Sequence, residues 1–234
     1  MAGTLYVVAT PIGNLQDITL RALETLRTVD LIAAEDTRHT KKLLQHYGIT
    51  TPLISYHQHS GSGRTERLIR RLQAGESIAL VTDAGTPGIS DPGGALVAAA
   101  HQAGIRVVPI PGASAITALL SVAGLPAHRF RFEGFPPRKE GARRQFFESL
   151  RGEDAPIVLY ESPHRLLKTL QAAYAVLGDW IVVVGRELTK QFEEVFRGRL
   201  SEAIAHWQTT PPRGEFTLVL WCTEGENGSP ITEE

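Results

Sequence analysis

The chain has 234 residues, 42% hydrophobic and 21% charged, with a formal net charge of -1, which suits an ordinary globular protein of one large or two modest domains. Near-neutral charge argues against a surface given over to nucleic acid throughout and leaves a local basic patch as the alternative. A single cysteine, Cys222, excludes an internal disulfide framework. No apolar run reaches the roughly 18 residues of a membrane span, and "MAGTLYVVATPIGN" lacks the basic start of a signal peptide, so the expected location is the cytoplasm.

Along the chain, "TLYVVAT" is a β-branched and aromatic run ended by Pro11 and Gly13, the pattern of a buried first strand. Asp17 or Thr19 is placed to cap the amphipathic helix "ITLRALETLRTV". "LIAAED" is a second strand, and "TRHTKKLLQHYG" a helix closed by Gly48. "PLISYH", the helix "RTERLIRRLQAG", "SIALVTD", the helix "ALVAAAHQAG" and "RVVPIPG" continue the alternation. Strands alternating with helices predict a parallel, doubly wound sheet with helices on both faces. Beyond Gly112 the pattern changes. The helix "ASAITALLSVAG", the strand "RFRFEGFP", the basic helix "GARRQFFESLR" and the strand "PIVLYES" come first. The helix "HRLLKTLQAAYAVLG", the strand "WIVVVGREL", a strand-then-helix "EEVFRGRLSEAIAHW" and the strand "GEFTLVLWC" follow. The expectation is an N-terminal α/β domain over 1–111, a C-terminal α/β domain with a mixed sheet over 112–222, and a polar, frayed tail over 223–234.

Ligands of open α/β sheets bind beyond the carboxyl ends of the strands. Three strand ends here are unusual: "ATPIGN", "AEDTR" and "TDAGTPGISDPG", and a parallel sheet would bring all three to one edge. Gly85 and Gly88 would let a ligand approach the backbone, Pro87 stiffens the loop, and Asp83 offers a fixed acceptor. The plainer alternative is a tight strand-to-helix turn with Asp91 near a helix cap. The chain has no G-x-G-x-x-G and no G-x-x-x-x-G-K-[ST], and "GASA" at 112–115 is not the G-x-S-x-G of a hydrolase elbow. His57 and His59 alternate on one strand face, but no partner cluster accompanies them, so no metal site is expected. Basic residues gather at Arg64, Arg67, Arg70 and Arg71 on one helix. They gather again at Arg138, Lys139, Arg143 and Arg144, just after the aromatic-rich "RFRFEGF". The second cluster sits on a Pro-rich loop and suits RNA, since cations neutralise phosphates and aromatic rings stack on unpaired bases.

Taken together, "YVVATPIGNLQDITLRALETL", "IAAEDTRHTKKLLQHYGI", "SYHQHS", "LVTDAGTPGISDPG", "PIPGASAITALLSVAGLP", "FEGFPPRK" and "YESPHR" resemble the ribosomal RNA small subunit methyltransferase I family. The resemblance runs in order over residues 4–221. It implies the tetrapyrrole-methylase fold, two α/β domains with a cofactor cleft between them, S-adenosylmethionine as cofactor, and a homodimer. It further implies 2'-O-methylation of a cytidine ribose in the decoding region of small-subunit RNA, free or assembled in the 30S subunit. Carried over residue by residue, the cofactor contacts would be Pro11, Asp83, Gly85, Pro87, Gly88, Ile89, Ser114, Ala115, Tyr160, Glu161, Gly214, Glu215 and Thr217. The resemblance also implies a small additional C-terminal domain, which members of the family usually have and these 234 residues do not include.

Methyl transfer from a sulfonium is an in-line displacement, and a ribose hydroxyl is a poor nucleophile that a positioned base or cation would assist. The candidates are Glu35, Asp36 and Arg38 of "AEDTR" and Arg186, Glu187, Lys190 and Glu193 of "RELTKQFEE". A carboxylate would accept or orient the proton, with Lys190 or Arg38 stabilising the developing alkoxide. A helix N-cap competes for Glu35 and Asp36, and a solvated charge pair for Glu193.

Overall fold

The computed structural model describes residues 2–57 and 62–222, in two compact units, Met1–Ser114 and Ala115–Glu234. In the first, strands β1 (Thr4–Val8), β2 (Leu31–Ala34), β3 (Leu53–Ser55), β4 (Ile78–Val81) and β5 (Arg106–Ile110) alternate with helices. These are α1 (Leu20–Thr28), α2 (Thr37–His46), α3 (Ser62–Gln73) and α4 (Gly94–Gln102). Every strand pairing is parallel, in the order β3-β2-β4-β1-β5.

Both faces of this sheet are covered, which is why its central strands read as continuous apolar runs. Leu31 and Ala33 face one core with Leu68 and Leu72 of α3 and Leu96 of α4. Ile32 and Ala34 face the other with Leu23 and Leu26 of α1 and Leu44 of α2. Helix α1 is capped by Thr19, whose hydroxyl accepts from the Ala22 N–H at 3.1 Å. Asp17 instead ends a short 3-10 turn, Leu15–Asp17, ahead of the helix. The first strand stops at Val8, short of the expected run to Thr10. Thr10 forms an isolated antiparallel bridge with Gly85.

Strand order determines where a ligand can sit. The chain leaves β2 toward the β3 edge and leaves β4 toward the β5 edge, and β2 and β4 are neighbours. Their carboxyl ends therefore flank a switch point, the usual crevice of an open α/β sheet.

The second unit holds α5 (Ala115–Val122), β6 (Arg131–Gly134), α6 (Glu140–Glu148), β7 (Ile157–Glu161) and α7 (Leu166–Leu177). After these come β8 (Ile181–Arg186), β9 (Glu194–Arg199), α8 (Leu200–Thr209) and β10 (Phe216–Trp221). The sheet is mixed, in the order β6-β7-β10-β8-β9, with β6 and β7 parallel and the other pairs antiparallel. One face carries the core of the unit, where Phe147, Leu170 and Trp207 of α6, α7 and α8 meet Leu159, Val184 and Leu218 of the strands. Helix α5 lies on the other face, close enough that a Cβ at Gly185 would come within 2.9 Å of the Leu119 side chain. The tail expected over 223–234 lies outside the described residues, as does His59.

Candidate active site

In the first unit the site is built from the ends of β1, β2 and β4. Thr10 and Gly85 exchange two backbone hydrogen bonds of 2.9 and 3.0 Å, and the Thr10 hydroxyl donates to the Thr82 carbonyl at 3.1 Å. Gly85 has φ +82, a conformation an L-residue adopts only at a cost, and that turn lets the strand end bridge back to Thr10. Its N–H and C=O are both engaged there, so Gly85 shapes the loop rather than offering a free N–H to a ligand. Pro87 is buried beneath the loop, whereas Gly88 is exposed and Ile89 is 45% exposed. Pro11 is buried at the end of the β1 segment.

The acidic side chains converge on the same edge. The Thr82 hydroxyl donates to Glu35 at 2.6 Å, and the Asp36 N–H donates to Asp83 at 3.0 Å. Burial, opposed by the Asp36 N–H and reinforced by the charge of Glu35, raises the Asp83 pKa. The plainer alternative for this loop placed Asp91 near a helix cap. The cap position of α4 is Gly93, and Asp91 belongs to the carboxylate group. Burial first, then the charges of Glu35 and Asp83, push it up to about 6 against the Thr82 hydroxyl bond. A cleft of about 430 Å³ runs past Asp91, lined also by Tyr56, His57, Gly88 and Ser90. Among the described residues, no group of three or more His, Cys, Asp or Glu could hold a metal ion.

The structure separates the carboxylates by role. Asp36 is the N-cap of α2, accepting the Arg38 N–H at 2.8 Å, and is paired with the Arg38 guanidinium at 2.8 Å. The Arg38 side-chain bond is the largest of the influences that hold Asp36 down at about 2, which makes it a poor proton acceptor at neutral pH. Among the described residues, Glu35 has no such tether and accepts from the Thr82 hydroxyl. Arg38 is 90% exposed.

In the second unit, strand register gathers the expected residues at one sheet edge. Thr217 pairs with Tyr160, and Phe216 with both Glu161 and Arg186. Lys190 lies at that edge between two carboxylates, 2.8 Å from Glu187 and 2.6 Å from Glu215. Burial works against the Lys190 charge, but Glu187 and Glu215 outweigh it and raise its pKa. The ammonium is thus already neutralised, and Lys190 ties the loop. Glu193 accepts the Thr189 N–H at 2.5 Å and is engaged in the same turn, where Glu187 (φ 48) and Thr189 (φ 69) hold backbone conformations unusual for L-residues. A Cβ at Gly214 would strike the Glu187 carboxyl, so only glycine allows that approach.

Two expectations change here. Glu161 is 2% exposed. Its carboxylate accepts the Ser162 N–H at 2.7 Å and the Thr169 hydroxyl at 2.5 Å and lies 3.4 Å from Arg165, so its side chain faces the interior and only its main chain remains for a cofactor. Arg143 is 6% exposed and donates to the Arg138 carbonyl at 3.1 Å, because it shares the inner face of α6 with Phe147, one turn away. Arg138, Lys139 and Arg144 are exposed, and Arg144 pairs with Glu148 at 3.0 Å. Ser114 closes the first unit and Ala115 opens α5. Sequence reasoning missed Thr10, Thr82, Thr169 and Arg165. Their hydroxyls and guanidinium act through partners distant in the chain, and no local pattern marks them.

A parallel sheet with glycine turns and carboxylates at its switch point, followed by a mixed-sheet unit, defines an α/β class with known members. The pattern described as Tetrapyrrole (Corrin/Porphyrin) Methylases matches residues 4–204. Among solved structures, a diphthine synthase superposes with a TM-score of 0.71 at 20% identity, over 94% of this chain and 90% of that one. A uroporphyrin-III C-methyl transferase from Thermus thermophilus complexed with S-adenyl homocysteine superposes at 0.63 and 19%, over 93% and 97%. At such identities these two show the fold. A protein of Synechocystis sp. named ribosomal RNA small subunit methyltransferase I is 57% identical over 99% of this chain and 84% of its own length. The chain belongs to the tetrapyrrole methylase family and, within it, to the ribosomal RNA small subunit methyltransferase I family.

Proposed function

We propose that the protein is an S-adenosylmethionine-dependent methyltransferase of small-subunit ribosomal RNA, acting on the 2'-hydroxyl of a cytidine ribose in the decoding region. The observation that carries this reading is the 57% identity, over nearly the whole chain, to a protein named for small-subunit ribosomal RNA methylation.

The residues at the first sheet edge fit the cofactor. Glu35, Asp83 and Asp91 gather carboxyl groups at that edge, where burial first and then the charges of Glu35 and Asp83 raise the Asp91 pKa to about 6. Such an edge suits a sulfonium, an α-ammonium and ribose hydroxyls, and it would repel the phosphates that a glycine-rich nucleotide loop binds. We assign Pro11, Asp83, Gly85, Pro87, Gly88, Ile89 and Ser114 of the first unit to cofactor binding. From the second we assign Ala115, Tyr160, Gly214, Glu215, Thr217 and the main chain of Glu161. When bound, S-adenosylmethionine supplies an electrophilic methyl group on a positively charged sulfur.

Glu35, held by Thr82 and untethered by any cation among the described residues, is the residue we assign to accept or orient the acceptor hydroxyl's proton. Arg38, carried outward on α2, would meet an adjacent phosphate. Arg138, Lys139 and Arg144 bind RNA backbone, with Arg143 supporting their loop. We further propose a cytoplasmic homodimer that acts on the free RNA or the assembled 30S subunit.

The test is mass mapping of small-subunit RNA from cells with and without the protein, together with cofactor titration by calorimetry. Loss of one ribose methyl group and saturable cofactor binding are expected, and no change in the RNA would overturn the assignment. Glu35→Gln should lower kcat by roughly 10²–10⁴-fold, the usual worth of a positioned base, while cofactor affinity changes little. Unchanged turnover would remove Glu35 from its role.

A further inference from the structure

Strand β6 does not run straight into the loop that follows. Its register against β7 shifts between Phe132 and Gly134, and Gly134 has φ +63, so a bulge turns the chain outward at the sheet edge. Bulges at edges commonly re-aim one side chain. Phe135, the first residue beyond the strand, is 55% exposed. Its ring lies 5.7 Å from Tyr160, and Tyr160 in turn meets Phe132 edge-on at 5.1 Å.

The loop is held from within. Arg165 hydrogen-bonds the Pro136 carbonyl and is itself 3.4 Å from buried Glu161, while Arg143 donates to the Arg138 carbonyl. Two inward arginines thus fix the backbone that two outward cations, Arg138 and Lys139, share. Neither outward cation has a carboxylate partner among the described residues. An exposed aromatic ring on a rigid backbone, flanked by unpaired positive charge, matches what an unstacked nucleotide requires: a π-face for the base and cations for its phosphates. A protein partner would gain from the ring but would not call for cations without counter-charges. The platform also follows the carboxyl end of β6, the end of the sheet where Tyr160 of β7 pairs with Thr217 of β10, among residues assigned above to cofactor binding.

We propose that Phe135, on the loop braced by Arg143 and Arg165, is a stacking platform for one unpaired base of the RNA substrate. The proposal rests on the reading of the protein as an RNA methyltransferase and adds that the acceptor strand is recognised single-stranded.

Binding of a short, fluorescently labelled single-stranded RNA copying the decoding region, and of its duplex, would be measured by anisotropy across a salt series. Phe135→Ala and Phe135→Leu should weaken single-strand binding by about 5- to 150-fold, the worth of one base stack, with Phe135→Trp close to wild type. The salt slope should stay unchanged, since a ring releases no counterions, whereas Arg138→Ala should lower it. Cofactor affinity should be the same in all Phe135 variants. Wild-type affinity in Phe135→Leu, or equal effects on strand and duplex, would overturn the platform alone. A shift of the Phe135 variants from dimer to monomer with RNA binding intact would also overturn it, in favour of a protein contact. A wild-type protein that binds cofactor but no RNA would instead overturn the underlying reading, and the platform with it.

Discussion

Asp91 shows how far a neighbourhood can change one side chain. Burial and the charges of Glu35 and Asp83 raise it to about 6 from an ordinary value of 3.8. A carboxyl whose pKa is raised by folding binds its proton more tightly in the native state. Its favourable contribution is therefore complete below pH 3.8 and is lost as pH rises through about 6. Asp91→Asn, which cannot ionise, should raise the melting temperature at pH 7–8, and the difference should vanish below pH 4. A melting series across that range checks it, and a constant offset at every pH would contradict it. Asp36 has the opposite sign. Held at about 2 chiefly by the Arg38 side-chain bond, it favours folding above 3.8, and that contribution fades as pH falls toward 2.

At the scale of elements, short polar contacts decide where helices and loops begin. Thr19 satisfies the Ala22 N–H at the start of α1, and its removal leaves a helix-end donor without a side-chain partner. Thr19→Ala should cost about 1 kcal/mol, seen as a lower urea midpoint with an unchanged slope. The loop after β4 should be more demanding. Gly85 holds φ +82, and a Cβ there would approach nothing closer than the Ile12 side chain at 3.5 Å. Gly85→Ala should therefore cost about 1–2 kcal/mol through backbone strain rather than collision, and cofactor affinity should fall with it. Stability lost without any loss of cofactor binding would place the loop outside the site.

For the whole molecule, ligand linkage and salt report on the two proposed partners separately. Cofactor at a hundred times its Kd should stabilise the native state by about 2.7 kcal/mol, or roughly 5–10 °C in a protein of this size. An unchanged melting temperature at saturating cofactor would count against the assigned site. RNA should behave differently. Arg138→Ala combined with Lys139→Ala removes two cations and should flatten the salt dependence of single-strand binding by about 1.4 in log–log slope.

Much of this architecture was legible in the residues. The continuous runs Leu31–Ala34 and Ile78–Val81 are buried on both faces, as apolar strands between helices require, and "EDTR" and "TDAGTPG" end neighbouring strands. Roles within the site were less legible. Asp36 and Glu35 are adjacent in the chain, yet one caps a helix and pairs with Arg38 while the other meets Thr82, 47 residues away. Arg143 and Arg144 look alike in a basic run, and the helix turns one inward beneath the Arg138 carbonyl and the other out to Glu148.

The sequence by itself determined the order of strands and helices, the loops at the parallel sheet's edge and the family, because periodicity and turn chemistry are local properties of the chain. Only the tertiary structure decided which carboxylate stays untethered, which arginine braces and which faces water, and how strongly Asp91 holds its proton. Each of those depends on hydrogen bonds, burial and charges supplied by residues that folding alone brings within a few ångströms.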